Sequence, residues 1–251
     1  MRYYIDLVTV LTHKELKVRY KSNVLGYLWS IAHPLSMAVV FYLTFKIIMR
    51  INIENYVVFL IAGLFPWQWF SNSVNTAPMV FLANASLIKK VSFPRNIIPF
   101  VQVMQDMIHF LLSIPVIALF MVLYEIPVSW SWFYGIPVLL ILQFTLNYGI
   151  CLFLSSINLF FRDLERLTSI LTMLLFYCTP IFYSENMIPQ KYTHLLSLNP
   201  LLPFIISWRN LFMSGQLDIN NFLLCLIYSI VSLLAGFLVY KKLSPKFAEV
   251  L

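Results

Sequence analysis

LIKKVSFPRNIIP, Leu87 to Pro99, sets three basic side chains and two prolines between two long apolar stretches, and its reading decides what the rest of the chain must be. Lys89, Lys90 and Arg95 crowd together there, while Pro94 and Pro99 push the residues before them out of helical conformation. A short helix should therefore end in this stretch before the next one starts. The result is a rigid basic knuckle projecting from an apolar body. By charge alone, such a knuckle is what any cytoplasmic loop of a membrane protein carries.

Composition bounds the rest independently. The chain has 251 residues, 61% of them hydrophobic and only 11% charged, against about 25% charged for an ordinary soluble domain. Several apolar runs approach the roughly 20 residues needed to cross a bilayer, so the expectation is one helical membrane domain, 1–251. A barrel is excluded because the runs are continuous and lack period-two alternation. The net charge of +7 does not argue for nucleic acid, because the basic residues sit in loops beside hydrophobic segments. Cys151, Cys178 and Cys225 form no CxxC pair and all fall inside expected spans, where they fill the core. Met1 to Lys21 has charges scattered throughout and reads as no cleavable signal.

Three motifs together carry a family resemblance: LIKKVSFPRNIIP, then FRDLERL at Phe161 to Leu167, then YCTPIFYS at Tyr177 to Ser184. With them the chain resembles the membrane subunit of type-2 ABC exporters, particularly those for O-antigen, capsular or teichoic-acid polysaccharides. The resemblance runs over nearly the whole chain and separates substrates poorly. It implies a homodimer with two ATPase subunits, exporting a lipid-linked polysaccharide, O-antigen above the others, across a bacterial inner membrane. It implies that the knuckle, within 84–97, is a coupling helix seated in a cleft of the ATPase through Leu87, Lys89, Lys90, Phe93, Pro94 and Arg95. A drug or lipid exporter of the same superfamily and a proton-coupled secondary transporter remain the rival readings.

Laid out at 100° per residue, Arg2 to Lys21 gathers Tyr4, Leu7, Val8, Leu11 and Val18 on one face and Arg2, Asp6, Thr9, His13, Lys17 and Lys21 on the other. That is a helix lying in the headgroup plane. Glu15 interrupts its apolar stripe. The family likewise has an amphipathic interface helix here, placed at 1–25. Six spans are expected after it: Trp29 to Met49, Tyr56 to Leu82, Ile97 to Tyr124, Tyr134 to Phe161, Leu167 to Tyr183 and Asn221 to Tyr240. With the first helix inside, Arg2, Lys14, Lys17, Arg19, Lys21, Lys89, Lys90, Arg95, Arg162, Arg166, Lys241, Lys242 and Lys246 share one side. Only Lys46, Arg50, Lys191 and Arg209 fall on the other, so both termini are expected in the cytoplasm.

Parity then constrains Ser184 to Asp218. If this stretch crossed the membrane, the last helix would carry its lysines to the wrong side, yet LLSLNPLLPFIISWRNLFM is too apolar for a free loop. The expectation is a re-entrant segment, 184–218, whose two short helices meet near Asn199 and Pro200, with Pro203 beyond, and form an exit gate. The family has gate helices at this place. A surface helix resting on the outer leaflet is the alternative.

None of the six glycines opens a GxxxxGK[ST] phosphate loop, so no ATP cradle of that kind exists in this chain. No cofactor is expected here; the resemblance puts ATP and magnesium on the partner. His13, His33, His109 and His194 have no metal-ligand spacing, and no GxSxG elbow is present. Asp106 and His109 share one face of the third span and read either as a structural pair, with Arg162 as a further partner, or as a proton relay. Arg162, Asp163, Glu165 and Arg166 alternate in sign at a membrane boundary, and read as an ion-pair brace or as a second ATPase contact. Aromatic residues make up 17% of the chain. Phe41, Tyr42, Trp67, Trp69, Phe70, Phe176, Tyr177, Phe182 and Tyr183 are candidates to line a path for sugar rings, with lipid-facing packing as the plain alternative.

Overall fold

The computed structural model describes residues 2–20, 29–189, 191 and 199–250, and every described element is helical. The first helix, α1 (Arg2–Tyr20), follows the expected stripe: Leu11 is buried against Ile97 and Val101, with Leu7 and Val8 packed beside it, while Asp6, Thr9, His13 and Lys17 are exposed. The remainder of the expected interface helix, Lys21 included, and the side chains of Arg2, Tyr4, Glu15 and Val18 lie outside the described residues. Next comes α2 (Trp29–Phe41), which widens into a π-helical turn and a half at Tyr42–Ile48. Lys46 in that stretch donates to the carbonyl of Ile53 at 3.0 Å and so closes the loop that follows.

The centre of the protein is α3 (Tyr56–Thr76), continued by a 3-10 turn at Ala77–Met79 and by α4 (Val80–Ala83). Val58, Leu60, Ile61, Ala62 and Leu64 are all fully buried, the signature of a helix that is apolar on every side because neighbours surround it. Pro66 interrupts its hydrogen-bond ladder, and the Pro66 carbonyl receives a bond of 2.9 Å from Gln143 Nε2. The knuckle begins as α5 (Ala85–Lys90) and leads into α6 (Ile97–Leu123). A turn then reverses the chain into α7 (Trp132–Asn158), followed by α8 (Leu164–Cys178). Beyond a 3-10 turn at Glu185–Met187 come α9 (Leu202–Ser214) and α10 (Ile219–Leu243). The chain ends in a 3-10 turn, Ser244–Lys246, and a last helical turn, α11 (Phe247–Val250).

The tightest helix pair is α7 with α10, and two glycines make it so. A Cβ on Gly236 would sit 2.3 Å from the carbonyl oxygen of Gly149, and a Cβ on Gly149 would sit 2.4 Å from the backbone of Ser232. The backbones touch only because neither residue has a side chain. Ser229 and Ser232 use that closeness, donating across the crossing to the carbonyls of Leu142 and Leu146 at 2.7 and 2.8 Å. This is the small-residue packing that membrane helices use, since lipid offers no hydrophobic drive to bring them together.

Four helical runs have the length and apolarity to cross a membrane: Tyr56–Ala83, Ile97–Leu123, Trp132–Asn158 and Ile219–Lys246. The first expected span is helical from Trp29 to Ile48, and its apolar part, Leu35–Ile48, is shorter. The fifth is shorter than expected, 15 residues or roughly 22 Å at the α-helical rise. It ends at Cys178 rather than Tyr183 because Pro180 holds Thr179 in an extended conformation (φ −97°, ψ 135°). The fourth span starts at Trp132 and stops at Asn158, so Phe160 and Phe161 lie in the turn, not in the helix.

Candidate functional site: a braced knuckle, an aromatic wall and a buried arginine

The knuckle has the expected local shape. Helix α5 stops at Val91, which is extended (φ −129°, ψ 133°), and Pro94 opens the turn into α6. Pro99 falls in the first turn of α6, so Ile98 is helical rather than extended; a proline there loses no helical hydrogen bond. Lys89 and Lys90 are exposed, Leu87, Phe93 and Pro94 half-buried.

Arg95 is also half-buried, and it turns back into the protein, donating from Nη1 to the Ser244 carbonyl at 3.0 Å. The backbone N–H of Asn96 donates to Tyr240 Oη at 3.2 Å, and its side-chain amide donates to Tyr148 Oη at 3.3 Å. Below these bonds lies a small apolar cluster. Phe247 is fully buried among Phe81, Ile88, Ile98 and Leu159, with Phe93 and Tyr240 packed on the outside. The knuckle is therefore fastened to α7, α10 and the chain's last turns. No sequence pattern pointed to Asn96, Tyr148, Tyr240 or Phe247.

Arg162, Asp163, Glu165 and Arg166 are all exposed, and among the described residues none of them makes an ion pair. An ion-pair brace between the fourth and fifth spans is thus not what these residues form. Arg162 and Asp163 lie in the turn before α8, and Glu165 and Arg166 in its first turn. Nor is Arg162 a partner of Asp106. That carboxylate is buried inside the bundle and accepts hydrogen bonds from Ser73 Oγ at 3.0 Å and Gln102 Nε2 at 3.1 Å. His109, one turn along, is 9% exposed and lines the same small cleft as Asp106, with Trp69 and Asn72 opposite.

Eight of the nine candidate aromatic residues belong to one connected wall where α2, α3 and α8 meet. Phe176 is its hub, with ring centroids 5.7 Å from Phe41, 5.4 Å from Trp67 and 5.8 Å from Phe182. Trp67 carries the wall to Phe70 at 5.6 Å; Tyr177 and Tyr183 flank Phe182. Tyr42 reaches the wall through Tyr56, whose hydroxyl donates to the Phe182 carbonyl at 3.0 Å. Phe45, stacked on Phe182 at 4.6 Å, is a member the sequence reading missed. Trp69 does not join. It points to the other side of α3, stacks on Phe110 at 5.4 Å and through it meets Trp208. Helical spacing explains the split, because positions two apart on α3 face nearly opposite ways. Tyr177 is the wall's most exposed ring at 62%, whereas Trp67, Phe70 and Phe182 are buried in this chain.

Within the expected gate segment, Gln190 and Tyr192 to Leu198 lie outside the described residues, so the first of the two expected short helices does too. The second is present as α9, 13 residues and about 20 Å long, too short to cross. It is not a surface helix: Pro203, Phe204, Ile205, Trp208, Leu211 and Phe212 are all buried, and α9 packs mainly on α3. Asn199 fixes its start, donating to Thr179 Oγ1 at 2.8 Å and accepting from the Leu201 N–H at 3.0 Å, with Pro200 in the turn.

Arg209, counted in the sequence as an outer-side charge, is 6% exposed in the middle of α9. Its Nη2 donates to the carbonyls of Pro180 and Ile181 at 2.8 and 3.1 Å, and its Nε to that of Phe59 at 3.4 Å. The guanidinium lies 3.7 Å over the Phe59 ring. Thr179 and Pro180 break α8, freeing carbonyls that nothing in a lipid interior could satisfy, and Arg209 satisfies two of them. The signal that could have found it is an arginine inside an apolar stretch, which by default marks a specific partner.

The profile of the ABC-2 type transporter family matches residues 6–213. The chain is 48% identical to an O-antigen export system permease protein of Klebsiella pneumoniae, over 99% of this chain and 96% of that one. It is 31% identical to the protein of the same description from Myxococcus xanthus, over 98% and 95% of the two lengths. A polysialic acid transport protein of Escherichia coli is 24% identical over 93% of this chain and 92% of its own.

Proposed function

We propose, since the chain belongs to the ABC-2 type transporter membrane family, that it is the permease subunit of an exporter carrying lipid-linked O-antigen polysaccharide across the bacterial inner membrane. The observation that carries the substrate is near end-to-end likeness, at 48 and 49% identity, to two O-antigen export permeases. Length and apolarity support the setting: the chain has four helices of spanning length. The reading completes them to six with Trp29–Ile48 and α8, and places both termini and the knuckle on the cytoplasmic side by the distribution of Lys and Arg. Since no phosphate loop exists in the sequence, ATP and magnesium belong to a separate ATPase. Two copies of the chain with two ATPase subunits make the working assembly.

In this mechanism ATP-driven closure of the partner pushes on the exposed Lys89–Lys90 end of the knuckle. The push passes through Asn96 and Arg95 into α7 and α10, because those residues are bonded to Tyr148, Tyr240 and Ser244. The aromatic wall offers flat, uncharged faces along which sugar C–H groups can slide, and α9 with Asn199, Pro200 and Pro203 forms the re-entrant gate at the exit. Deleting the gene in the native host and restoring it on a plasmid tests the reading. Expected are loss of surface O-polysaccharide with intracellular build-up of the lipid-linked chain, and its return on complementation. Unchanged surface polysaccharide in the deletion strain, or export that stops when the proton gradient collapses with ATP still plentiful, would overturn it.

A further inference from the structure

A cleft of about 350 Å³ opens between α1, the end of the α3–α4 run, the knuckle helix and the start of α6, with Glu165 at its edge. That size lies within the range of small-ligand pockets. Its floor is aliphatic, built from Leu11, Val80, Leu87, Ile98 and Val101. Its polar lining is Asn75, Thr76, Asn84, Gln102 and Glu165, and the hydrogen bonds these residues make leave both donors and acceptors open.

Asn84 Nδ2 gives one of its two hydrogens to the Val80 carbonyl at 2.9 Å, and Gln102 Nε2 one of its two to the Asp106 carboxylate at 3.1 Å, so each amide keeps a second N–H. Asn75 Nδ2 goes to Ser71 Oγ at 3.2 Å, and the Thr76 hydroxyl donates to Asn72 O at 2.9 Å. What remains for a ligand is therefore of both kinds: the amide oxygens and the Glu165 carboxylate as acceptors, and the second N–H of each amide as a donor.

From this we infer a binding site for a neutral, hydroxyl-rich ligand with an apolar face, a single sugar ring. Its hydroxyls donate to the Glu165 carboxylate and the amide oxygens and accept from the remaining N–H groups of Asn75, Asn84 and Gln102, and its C–H face rests on the aliphatic floor. A diphosphate is the wrong occupant, because among the described residues the one charged side chain in the lining is the Glu165 carboxylate and no lysine or arginine lines the cleft to offset it. Resting on the export reading above, the cleft is where one sugar of the lipid-linked chain is held beside the knuckle before transport, so that occupancy and ATPase coupling share the α5 helix.

The test uses the permease assembled with its ATPase in lipid nanodiscs, with ATP hydrolysis followed against added lipid-linked O-polysaccharide extracted from an export-blocked strain. Ala83→Phe fills the cleft and Asn75→Leu removes one acceptor; both residues are exposed, and each variant is checked for an unchanged melting temperature. Both should raise the half-maximal glycolipid concentration roughly tenfold or more, with the maximal rate unchanged. In competition, the delipidated glycan should inhibit wild type more strongly than the variants, and a sugar-free polyprenyl diphosphate should inhibit all three alike. Wild-type half-maximal concentrations in both folded variants would overturn the cleft while leaving the export reading intact. A variant effect reproduced by the sugar-free lipid would overturn the sugar assignment. No response of the wild-type complex to the glycolipid would overturn the export reading and the cleft with it.

Discussion

Arg95 in the basic knuckle donates to the backbone carbonyl of Ser244, 149 positions further along, at 3.0 Å. The bond makes the knuckle part of the α10 end of the protein rather than a loop hanging beneath it. Two kinds of basic residue then sit in one short stretch: Arg95 works inward, and Lys90 is exposed at the tip.

The two should separate by mutation. Arg95→Ala removes one charge-assisted hydrogen bond, worth about 1.5–3 kcal/mol, and should lower the melting temperature of the purified protein. Lys90→Glu should leave the melting temperature alone but reduce copurification of the ATPase, because reversing a charge at an interface acts on association. Equal thermal losses in the two variants would count against this division of labour.

Phe247 anchors the same region from below. Phe247→Ala empties a fully buried site in a small cluster and should cost about 3–5 kcal/mol locally. Hydrogen exchange should rise in residues 85–99 as well as at the end of the chain, while the α3–α9 packing keeps its protection. Protection unchanged in the knuckle would show that the last turns do not hold it.

The glycine crossing predicts a contrast between two alanine substitutions. Gly236→Ala would push a Cβ against the Gly149 backbone, which cannot move aside without parting α7 from α10, and expression or thermal stability should fall sharply. At Gly135 the obstacle is the Leu211 side-chain tip, 2.4 Å from an added Cβ, which can change rotamer. Gly135→Ala should therefore be much the milder. Melting temperatures in one detergent decide it, and a reversed order would refute the packing argument.

Arg209→Gln should free the segment that follows α8. It leaves the Pro180 and Ile181 carbonyls short of a donor, at about 1–3 kcal/mol each. Arg209→Lys should not restore stability, since an ammonium lacks the planar fork that reaches three carbonyls while lying on the Phe59 ring. Limited proteolysis between residues 180 and 201 gives the readout, with faster cleavage expected in both variants.

Asp106 is placed as a structural acceptor, holding Ser73 on α3 to Gln102 on α6. Asp106→Asn together with His109→Gln should reduce thermal stability modestly and leave export dependent on ATP alone. Export abolished in the double variant although the protein is folded and inserted would favour proton coupling instead.

The sequence by itself determined what covalent composition and local periodicity can determine. Apolar runs such as Ile97 to Leu123 are long enough to fix spanning helices, the α1 stripe follows from 100° spacing, and Pro94 ends one helix before another starts. The missing phosphate loop is equally a matter of sequence alone. Tertiary structure decided everything that depends on which face meets which neighbour. Trp67 and Trp69 are equivalent by composition, yet one joins the aromatic wall and the other the α6 side, because α3 is enclosed all round and each face has a different neighbour. Arg209 counts by charge as an outer-side residue; only the placement of α9 against α3, beside the end of α8 at Pro180, makes it a buried donor. Arg95 reads in the sequence as a handle for a partner, and its bond to Ser244, contributed by a distant part of the chain, exists only in the tertiary structure. Long-range hydrogen bonds between residues more than a hundred positions apart leave no periodic trace, since neither partner's local spacing depends on the other.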